Sequence, residues 1–410
     1  MTISSSSARA PSMAPIVLAL GLTQVIGYGT LYYSFGTLAP LMARTFGTTE
    51  EWLFGALSVS LLVSGLVSPA AGRLADRFGA AWLMGFGSLA AGVSLGLSAL
   101  APDAIWFAAA LLATEIATCF VFYATAFTLL VQAGGVRAKN SITHLTLIAG
   151  FASTLFWPLT ATLVEHFDWR TVYLMFAALN VLVAAPVHFL LVRRVRRIGP
   201  AMRPGEDPQP AVAPLVPRDK VRQVFGLMLV SFSLLSFVMS AILVHMVPML
   251  GALGLGGMGL FVSAFFGPAQ VASRFINLQF GRGLSQTMLG VISAAVMPAG
   301  LLVLVLTAPM PAGAALFAVL FGIGTGLSSI VGGTLPLALF GADGYGRRQG
   351  LLSSARLVVS ALAPFALSLL SGLFGTASAL WLFIATGTAS TLVFLVIWGI
   401  VRRLGARSAL

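Results

Sequence analysis

The chain has 410 residues, of which 58% are hydrophobic and 8% are charged, whereas a soluble domain carries about 25% charged residues. Together with a mean hydropathy of +0.99, this composition excludes an ordinary soluble domain and predicts an integral membrane protein. The net charge of +12 does not indicate nucleic-acid binding here, because membrane topology explains it. A single cysteine, Cys119, excludes an internal disulfide, and the histidines lack metal-ligand spacing.

Twelve apolar runs succeed one another along the chain, and each has about the 20 residues that a membrane-crossing helix needs. We therefore predict an all-α membrane protein with twelve transmembrane helices. The N-terminal residues contain no small-residue cleavage site, so we expect the first helix to remain in the mature protein. The runs cover residues 14–43, 51–74, 80–101, 104–132, 140–164, 168–192, 223–250, 257–281, 285–307, 311–340, 346–373 and 376–401.

The first run reads GLTQVIGYGTLYYSFGTLAP. Tyr28 and Tyr32 are four residues apart and share one helical face, on which Gln24 also lies. Tyrosine hydroxyls are good hydrogen-bond donors to a carboxylate. We therefore predict that Tyr28 and Tyr32 bind an anionic substrate, with Gln24 and, from the fourth run, Tyr123 as further candidates.

The turn between the second and third runs reads GRLADRFGAA, residues 72–81. It resembles the signature loop of the major facilitator superfamily, G-x-L-a-D-r-x-G-r-[rk], although Ala80 and Ala81 replace the final basic residues. The resemblance implies two six-helix bundles around a central cavity that the first helix borders, and a loop that holds the outward-open state without touching substrate. We expect Asp76 to lie at a neighbouring helix N-terminus or beside an arginine. The motif residues are Gly72, Arg73, Asp76, Arg77 and Gly79.

The fourth run contains a carboxylate, Glu115, far from either end of the run. An ionisable group in the hydrocarbon region is costly and is by default a candidate functional residue. Glu115 could carry a proton, or it could pair internally with Arg274 or Arg356, and the sequence leaves both interpretations open. His245, which precedes Pro248 in the seventh run, is a second candidate for proton coupling.

Residues 137–170 resemble the fifth helix of monocarboxylate-porter and oxalate/formate-antiporter relatives. Those helices begin with a basic stretch, carry a track of small residues and end with a Phe-Gly-Trp-Arg-like turn. Here the turn reads FDWR. Trp157 in this run either faces a solute path or packs against neighbouring helices.

The longest polar segment, residues 193–222, is rich in proline, glycine and charge, which is typical of a linker. It divides the chain into an N-terminal bundle, residues 1–192, and a C-terminal bundle, residues 223–410. Most basic residues fall on the side of this linker, which the positive-inside rule assigns to the cytoplasm. We therefore expect a protein of the inner membrane with both termini in the cytoplasm. The basic residues on that side are Arg9, Arg73, Arg77, Arg137, Lys139, Arg193, Arg194, Arg196, Arg197, Arg203, Arg218, Lys220, Arg222, Arg282, Arg347, Arg348, Arg402, Arg403 and Arg407; Arg44 and Arg170 lie on the other.

The two remaining arginines stand inside apolar runs, Arg274 in the eighth and Arg356 in the eleventh. Arg274 lies eight residues before Arg282 and Arg356 eight residues after Arg348, so both are expected about 12 Å from the same membrane face. A guanidinium stays charged and can bind a carboxylate through two parallel hydrogen bonds. We predict that the pair clamps an anion; the alternative is that they pair with a buried carboxylate or with backbone carbonyls.

The family resemblance bears on this clamp in two ways. Oxalate/formate antiporters hold a dianion between cations of helices eight and eleven, the latter typically a lysine. In the proton-coupled monocarboxylate porters an aspartate precedes the helix-eight arginine by one turn, and Gln270 occupies that position here. The Gln270 amide can orient a substrate but cannot carry a proton, so proton symport through that pair is not expected.

These features predict a secondary active transporter, a symporter or an antiporter, that moves a small organic anion such as a mono- or dicarboxylate by alternating access. The alternative is a proton-coupled exporter of drugs, organo-arsenicals or larger aromatic metabolites and vitamins, in which Glu115 binds a proton or a cation. The chain has no phosphate-binding loop with a lysine, so we expect neither an enzyme nor a cofactor or metal. We expect a monomer whose partners are the lipid bilayer, the substrate and, for some coupling schemes, protons, but no nucleic acid.

Overall fold

The computed structural model describes residues 12–198 and 214–407, and within these ranges the chain consists of helices and the turns that connect them. The predicted all-α membrane fold is confirmed. The centre of the predicted linker, residues 199–213, lies outside the described residues, as do Arg9 and Arg203. The division of the chain at residues 193–222 stays a prediction.

Eleven helices within the described ranges are long and apolar enough to cross a membrane. The remaining helix, α8, has 15 residues and follows a short helix, Met258–Ser263. The twelve helices are α1 (Ala14–Phe46), α2 (Glu50–Phe78), α3 (Ala80–Ala99), α4 (Ala104–Gly134), α5 (Ala138–His166), α6 (Trp169–Val195), α7 (Arg218–Leu255), α8 (Phe266–Phe280), α9 (Gln286–Thr307), α10 (Pro311–Phe340), α11 (Tyr345–Phe374) and α12 (Thr376–Leu404).

The eighth predicted run, residues 257–281, is not one continuous helix. It is divided at residues 264–265, between the short helix and α8. Pro268 explains the position of the break, because a proline ring clashes with the carbonyl four residues earlier, here that of Ala264, and supplies no N–H for that carbonyl. The two segments together cover the length that the sequence predicted.

Five other helices contain local breaks or π-helical turns that the apolar pattern did not predict; in α6 the π-helical turn is Asn180–Ala184, and in α7 it is Gly251–Leu255. In α1, residues Gly29–Tyr33 form a π-helical turn. In α4 the helical conformation is interrupted at residues 119–122, and in α5 at residues 150–151. Irregular backbone at membrane depth needs hydrogen-bond partners from the protein. In α4, Gln24 Nε2 donates to the Val121 carbonyl at 2.7 Å and the Thr125 hydroxyl donates to the Cys119 carbonyl at 2.8 Å.

Polar side chains cap the start of several helices. Thr49 accepts from the backbone N–H of Trp52 at α2, and Asp103 accepts from two N–H groups at α4. Asp168 accepts from the N–H of Thr171 at 2.7 Å at the start of α6. This hydrogen bond and the Thr171 hydroxyl lower the pKa of the exposed Asp168 carboxyl, because both stabilise its ionised form.

The buried residues form three clusters. The largest lies in α7–α12 and contains the fully buried rings of Phe232, Phe321 and Phe394. The other two consist mainly of residues of α1–α6, and one of them also includes Leu337 and Tyr345 from the second half of the chain. The two halves therefore pack against each other near the end of α10 and the start of α11.

Candidate functional site

Arg274 lies in α8 with 4% of its surface exposed. Its Nη1 donates to the Thr146 carbonyl of α5 at 2.9 Å, and its Nε lies 3.5 Å from the Gly326 carbonyl of α10. A Cβ atom at Gly150, in the break of α5, would clash with Nη1, so the guanidinium fits against a backbone without a side chain. Arg274 thus connects α8 to the opposite half of the chain through a backbone carbonyl.

Arg356 lies in α11 and is half-buried. Its Nε donates to the Ser236 hydroxyl of α7 at 2.9 Å, and the guanidinium carbon lies 5.8 Å from the ring centre of Phe232. Nη1 would be 3.4 Å from a Cβ atom at Gly332, which places it beside α10. Neither Nη1 nor Nη2 donates a hydrogen bond to any of the described residues, so these two nitrogens have no acceptor in that part of the chain.

Glu115 does not neutralise either arginine. It is 3% exposed, and among the described residues it forms no ion pair with Arg274 or Arg356. Its backbone carbonyl accepts from the Ser64 hydroxyl at 2.8 Å and from the Thr118 hydroxyl at 2.7 Å. The internal ion pair that the sequence left open is therefore not formed in this conformation.

The two guanidinium groups contact α10 at different levels. Arg274 reaches Gly326 and Arg356 reaches Gly332, and six residues correspond to about 9 Å along a helix axis. Side chains on a helix project toward its N-terminus. Because α8 and α11 cross the membrane in opposite directions, backbones at a similar depth send their guanidinium groups in opposite directions. The common depth predicted for the two charges therefore does not hold along α10.

Aromatic side chains of the first half lie within electrostatic range of these two arginines. The Tyr28 ring contacts the rings of both Tyr32 and Tyr123, and the ring centres of Tyr28 and Tyr123 lie 4.9 Å apart. Tyr28 interacts electrostatically with Arg356, and Tyr123 with Arg274. The candidate site therefore lies between the first half of the chain, which supplies the tyrosines, and the second half, which supplies the cations.

Tyr33 belongs to this group although the sequence pattern did not predict it. Its ring centre lies 5.1 Å from that of Tyr32 and 5.5 Å from that of Trp157, and it interacts electrostatically with Arg274. A regular α-helix of 3.6 residues per turn places Tyr33 off the face of Tyr28. In the π-helical turn at Gly29–Tyr33 the backbone hydrogen bonds join residues five apart instead of four, and this wider turn brings Tyr33 onto that face.

The remaining predicted ligands have different surroundings. Gln24 is fully buried and its amide is used by the Val121 carbonyl, while its Oε1 has no partner among the described residues. Gln270 is half-buried one turn before Arg274. His245 is half-buried, and its Nδ1 lies 3.2 Å from the Ala241 carbonyl of the same helix. None of these three side chains forms a hydrogen bond with the tyrosines among the described residues.

The signature loop lies at the crossing of α2 and α11. The Asp76 carboxylate accepts from the backbone N–H groups of Gly346 and Arg347, both at 2.8 Å. These N–H groups belong to the first turn of α11, where they have no partner within the helix and carry a partial positive charge. Arg73 and Arg77 are exposed, and Arg77 lies over the ring of Phe78 at 5.1 Å. Gly79 has a φ of 91°, which favours glycine at this turn.

Close approach of backbones extends this crossing into the membrane. A Cβ atom at Gly72 would clash with the Gly346 carbonyl, and one at Gly350 would clash with the Ser68 carbonyl. Further along, a Cβ atom at Gly65 would lie 3.0 Å from Cγ2 of Val358. Toward the other membrane face, side chains such as Trp157 of α5 and Leu369 of α11 are exposed. The halves therefore meet on the side of the signature loop.

The fold and the site together define a polytopic membrane protein with charged groups between two sets of helices. The model of the Major Facilitator Superfamily matches residues 20–364. The chain belongs to this family. Its members are transporters, so the protein is a multi-pass membrane transport protein and not an enzyme.

Two solved structures illustrate the likeness of the fold. The human organic anion transporter MFSD10 (TETRAN) is similar with a TM-score of 0.71 and 16% identity, over 94% of this chain and 100% of that chain. The proton:xylose symporter XylE bound to 6-bromo-6-deoxy-D-glucose has a TM-score of 0.67 and 13% identity, over 95% of this chain and 97% of that chain. The comparison with curated proteins returned no match. At these identities the likeness concerns the fold alone, and the predicted relation to the carboxylate-transporting branch stays a prediction.

Proposed function

We propose that the protein is a secondary active transporter of small organic anions, mono- or dicarboxylates, which bind between the two halves of the chain. The observation that carries this proposal is the pair of arginines inside the membrane region, neither of which has a carboxylate partner among the described residues. An uncompensated cation in a membrane interior is costly. A substrate carboxylate would supply the missing charge.

Arg356 is the primary anion ligand in this proposal. Its Nε is fixed by Ser236, and Nη1 and Nη2 are left for two parallel hydrogen bonds to a carboxylate. Tyr28, on the opposite half, lies within electrostatic range of this guanidinium. An anion at Arg356 would therefore contact both halves of the chain at once, as alternating access requires.

Arg274 has a second role in the same scheme. Its Nη1 already donates to Thr146, so it binds a carboxylate with that nitrogen only after leaving the α5 carbonyl. Exchange of the Thr146 carbonyl for a substrate carboxylate would release a hydrogen bond between the halves. The proposal thus links anion binding at Arg274 to separation of α5 from α8, with Gln270, one turn away, orienting the substrate.

Glu115 is proposed as the group that couples transport to protons. It is buried in α4 and has no cationic partner among the described residues. A carboxyl group in such surroundings favours its neutral form and can exchange a proton when the surroundings change. His245 is a weaker candidate because its ring nitrogen lies close to a carbonyl of its own helix.

We also propose an oligomeric state and a membrane orientation for the protein. We place it as a monomer in the inner membrane, with the signature loop and both termini in the cytoplasm, because the basic residues concentrate on that side. In that orientation the halves are in contact at the cytoplasmic face. The conformation described would then be open to the outside.

The test is anion binding to the purified protein and to Arg356→Gln, measured by isothermal titration in detergent with acetate, lactate and oxalate. Loss of the charged, bidentate hydrogen bonds should weaken the binding of the preferred carboxylate by about 10- to 100-fold. Arg403→Gln removes an exposed arginine at the end of α12 and is the matched control, for which no change is expected. Equal affinity of Arg356→Gln and the unchanged protein would refute the proposed anion site.

A further inference from the structure

We infer that the transported anion carries an aromatic ring, which binds against a continuous aromatic surface in the first half of the chain. This inference rests on the proposed anion transport and adds the chemical class of the substrate body. We call this surface the aromatic cluster; it consists of Tyr28, Tyr32, Tyr33, Phe122, Tyr123 and Trp157.

The rings of the aromatic cluster form one connected series across α4, α1 and α5. Tyr28 stacks on Phe122 with ring centres 4.2 Å apart and planes inclined by 7°. Tyr32 and Tyr33 meet edge to face at 5.1 Å. Tyr33 in turn meets Trp157 edge to face at 5.5 Å. A planar ligand would therefore find ring faces and ring edges along a single surface.

Two backbone irregularities build this surface. The π-helical turn of α1 places Tyr33 beside Tyr32. The break of α4 at residues 119–122 carries Phe122 out of the regular helix and against Tyr28. A π-helical turn and a break in a membrane helix both disturb the regular hydrogen bonds of the helix, and such π turns occur frequently at functional sites. The irregularities of α1 and α4 thus bring Tyr33 and Phe122 into the aromatic cluster, whereas the π-helical turns of α6 and α7 contain none of its six rings.

Part of the aromatic cluster is uncovered by protein. Tyr32 is 52% exposed and Trp157 is 53% exposed, whereas Tyr28 and Tyr33 are half-buried behind them. The Tyr33 hydroxyl lies beside Ser153, while the Tyr33 ring contacts Tyr32 and Trp157. The part of the aromatic cluster that protein leaves uncovered therefore consists of Tyr32 and Trp157.

The charge and the aromatic cluster are arranged for one amphipathic ligand. Arg356 lies within electrostatic range of Tyr28, and Arg274 within range of Tyr33 and Tyr123. A carboxylate at Arg356 would place the adjoining part of the ligand against the stacked rings of Tyr28 and Phe122. Aromatic pairs in offset or edge-to-face geometry gain about 2- to 10-fold in affinity beyond the burial of their area. A small aliphatic acid would leave this surface unused.

The test compares matched ligands by isothermal titration of the purified full chain: benzoate, cyclohexanecarboxylate, acetate and the neutral benzamide. We expect benzoate to bind about 2- to 10-fold more tightly than cyclohexanecarboxylate, acetate to bind more weakly than both, and benzamide not to bind. If cyclohexanecarboxylate or acetate binds as tightly as benzoate, the aromatic inference is wrong and the anion proposal stands. If benzamide binds as tightly as benzoate, or no carboxylate binds, the proposed anion transport is wrong as well.

Variants locate the preference on the aromatic cluster. Trp157→Leu and Tyr32→Leu should each reduce the ratio of benzoate to acetate affinity, whereas Tyr32→Phe should retain it because the ring remains. Trp106→Leu is the control, since Trp106 is 65% exposed at the start of α4 and is not part of the aromatic cluster. Retained acetate binding shows that a variant is folded. An unchanged ratio in both leucine variants would overturn the inference.

Discussion

Arg274 and Arg356 carry the same functional group but differ in what that group contacts. Arg274 donates to a backbone carbonyl of the opposite half, whereas Arg356 donates to one serine of its own half and keeps two nitrogens free of protein acceptors among the described residues. A carboxylate can bind Arg356 without displacing an existing hydrogen bond. We therefore expect the anion to reach Arg356 first and Arg274 only as the halves begin to separate.

Glu115 offers a test of coupling at the scale of one residue. Glu115→Gln keeps the size of the side chain and removes its ability to bind and release a proton. We expect this variant to lose uptake driven by an imposed pH gradient, because no proton can be carried, and to retain exchange of substrate for substrate. Both activities are measured in proteoliposomes with a radiolabelled carboxylate.

The control for this experiment is Glu165→Gln, which alters an exposed carboxylate at the end of α5. It should respond to the pH gradient as the unchanged protein does. A gradient response that survives in Glu115→Gln would show that Glu115 does not couple transport to protons.

Residue types could be read from the sequence more reliably than side-chain directions. The positions of Arg274 and Arg356 in apolar runs indicated buried cations; the structure buries Arg274 against α5 of the opposite half and leaves Arg356 half-buried beside α7. Their separation along α10 could not be predicted without the antiparallel course of α8 and α11. Gln24 was predicted to face an anion because a regular helix was assumed, but the break of α4 supplies a carbonyl that takes its amide.

At the scale of helices, the crossing of α2 and α11 depends on the absence of side chains. The backbones come close enough that a Cβ atom at Gly72 would clash with the Gly346 carbonyl. The same approach brings the Asp76 carboxylate to two N–H groups at the start of α11. The signature loop and the glycines therefore act together to hold one end of the molecule closed.

Gly72→Ala should weaken this crossing, because inserting a methyl group into a close backbone contact costs about 1–3 kcal/mol. We expect a lower melting temperature and greater accessibility of residues near the crossing. Accessibility is measured as the rate of maleimide labelling of a cysteine placed at Ser68, which is buried there at 4% exposure, in a Cys119→Ser background.

The matched control lies in the same helix. A Cβ atom at Gly55 of α2 would have no neighbour within 4 Å, so Gly55→Ala should leave the labelling rate unchanged. If Gly72→Ala and Gly55→Ala label at the same rate, the crossing does not depend on the close approach of these backbones.

The helices themselves were largely predictable, because a run of about 20 apolar residues that crosses a membrane must satisfy its own backbone hydrogen bonds, and an α-helix does so. Local breaks were not. Pro268 offered a signal for the division before α8, since proline disrupts the turn that precedes it. The π-helical turn that brings Tyr33 into the aromatic cluster had no comparable signal in the pattern of apolar residues.

At the scale of the whole molecule, the two halves meet at one membrane face through Asp76 and, deeper, through Arg274. The candidate site lies between the halves, with tyrosines on one side and cations on the other. A transporter that alternates between two openings must break the Asp76 and Arg274 contacts and form others. A substrate anion that competes for Arg274 would favour this change through its differential affinity for the two states.

The most direct test of this account is counterflow in proteoliposomes. Vesicles preloaded with unlabelled benzoate are diluted into radiolabelled benzoate, and accumulation is compared for the unchanged protein, Arg356→Gln and Arg403→Gln. We predict transient accumulation of label with the unchanged protein and with Arg403→Gln, and accumulation at least about tenfold lower with Arg356→Gln, because the charged hydrogen bonds to the anion are lost. Equal accumulation with correctly folded Arg356→Gln would contradict the account.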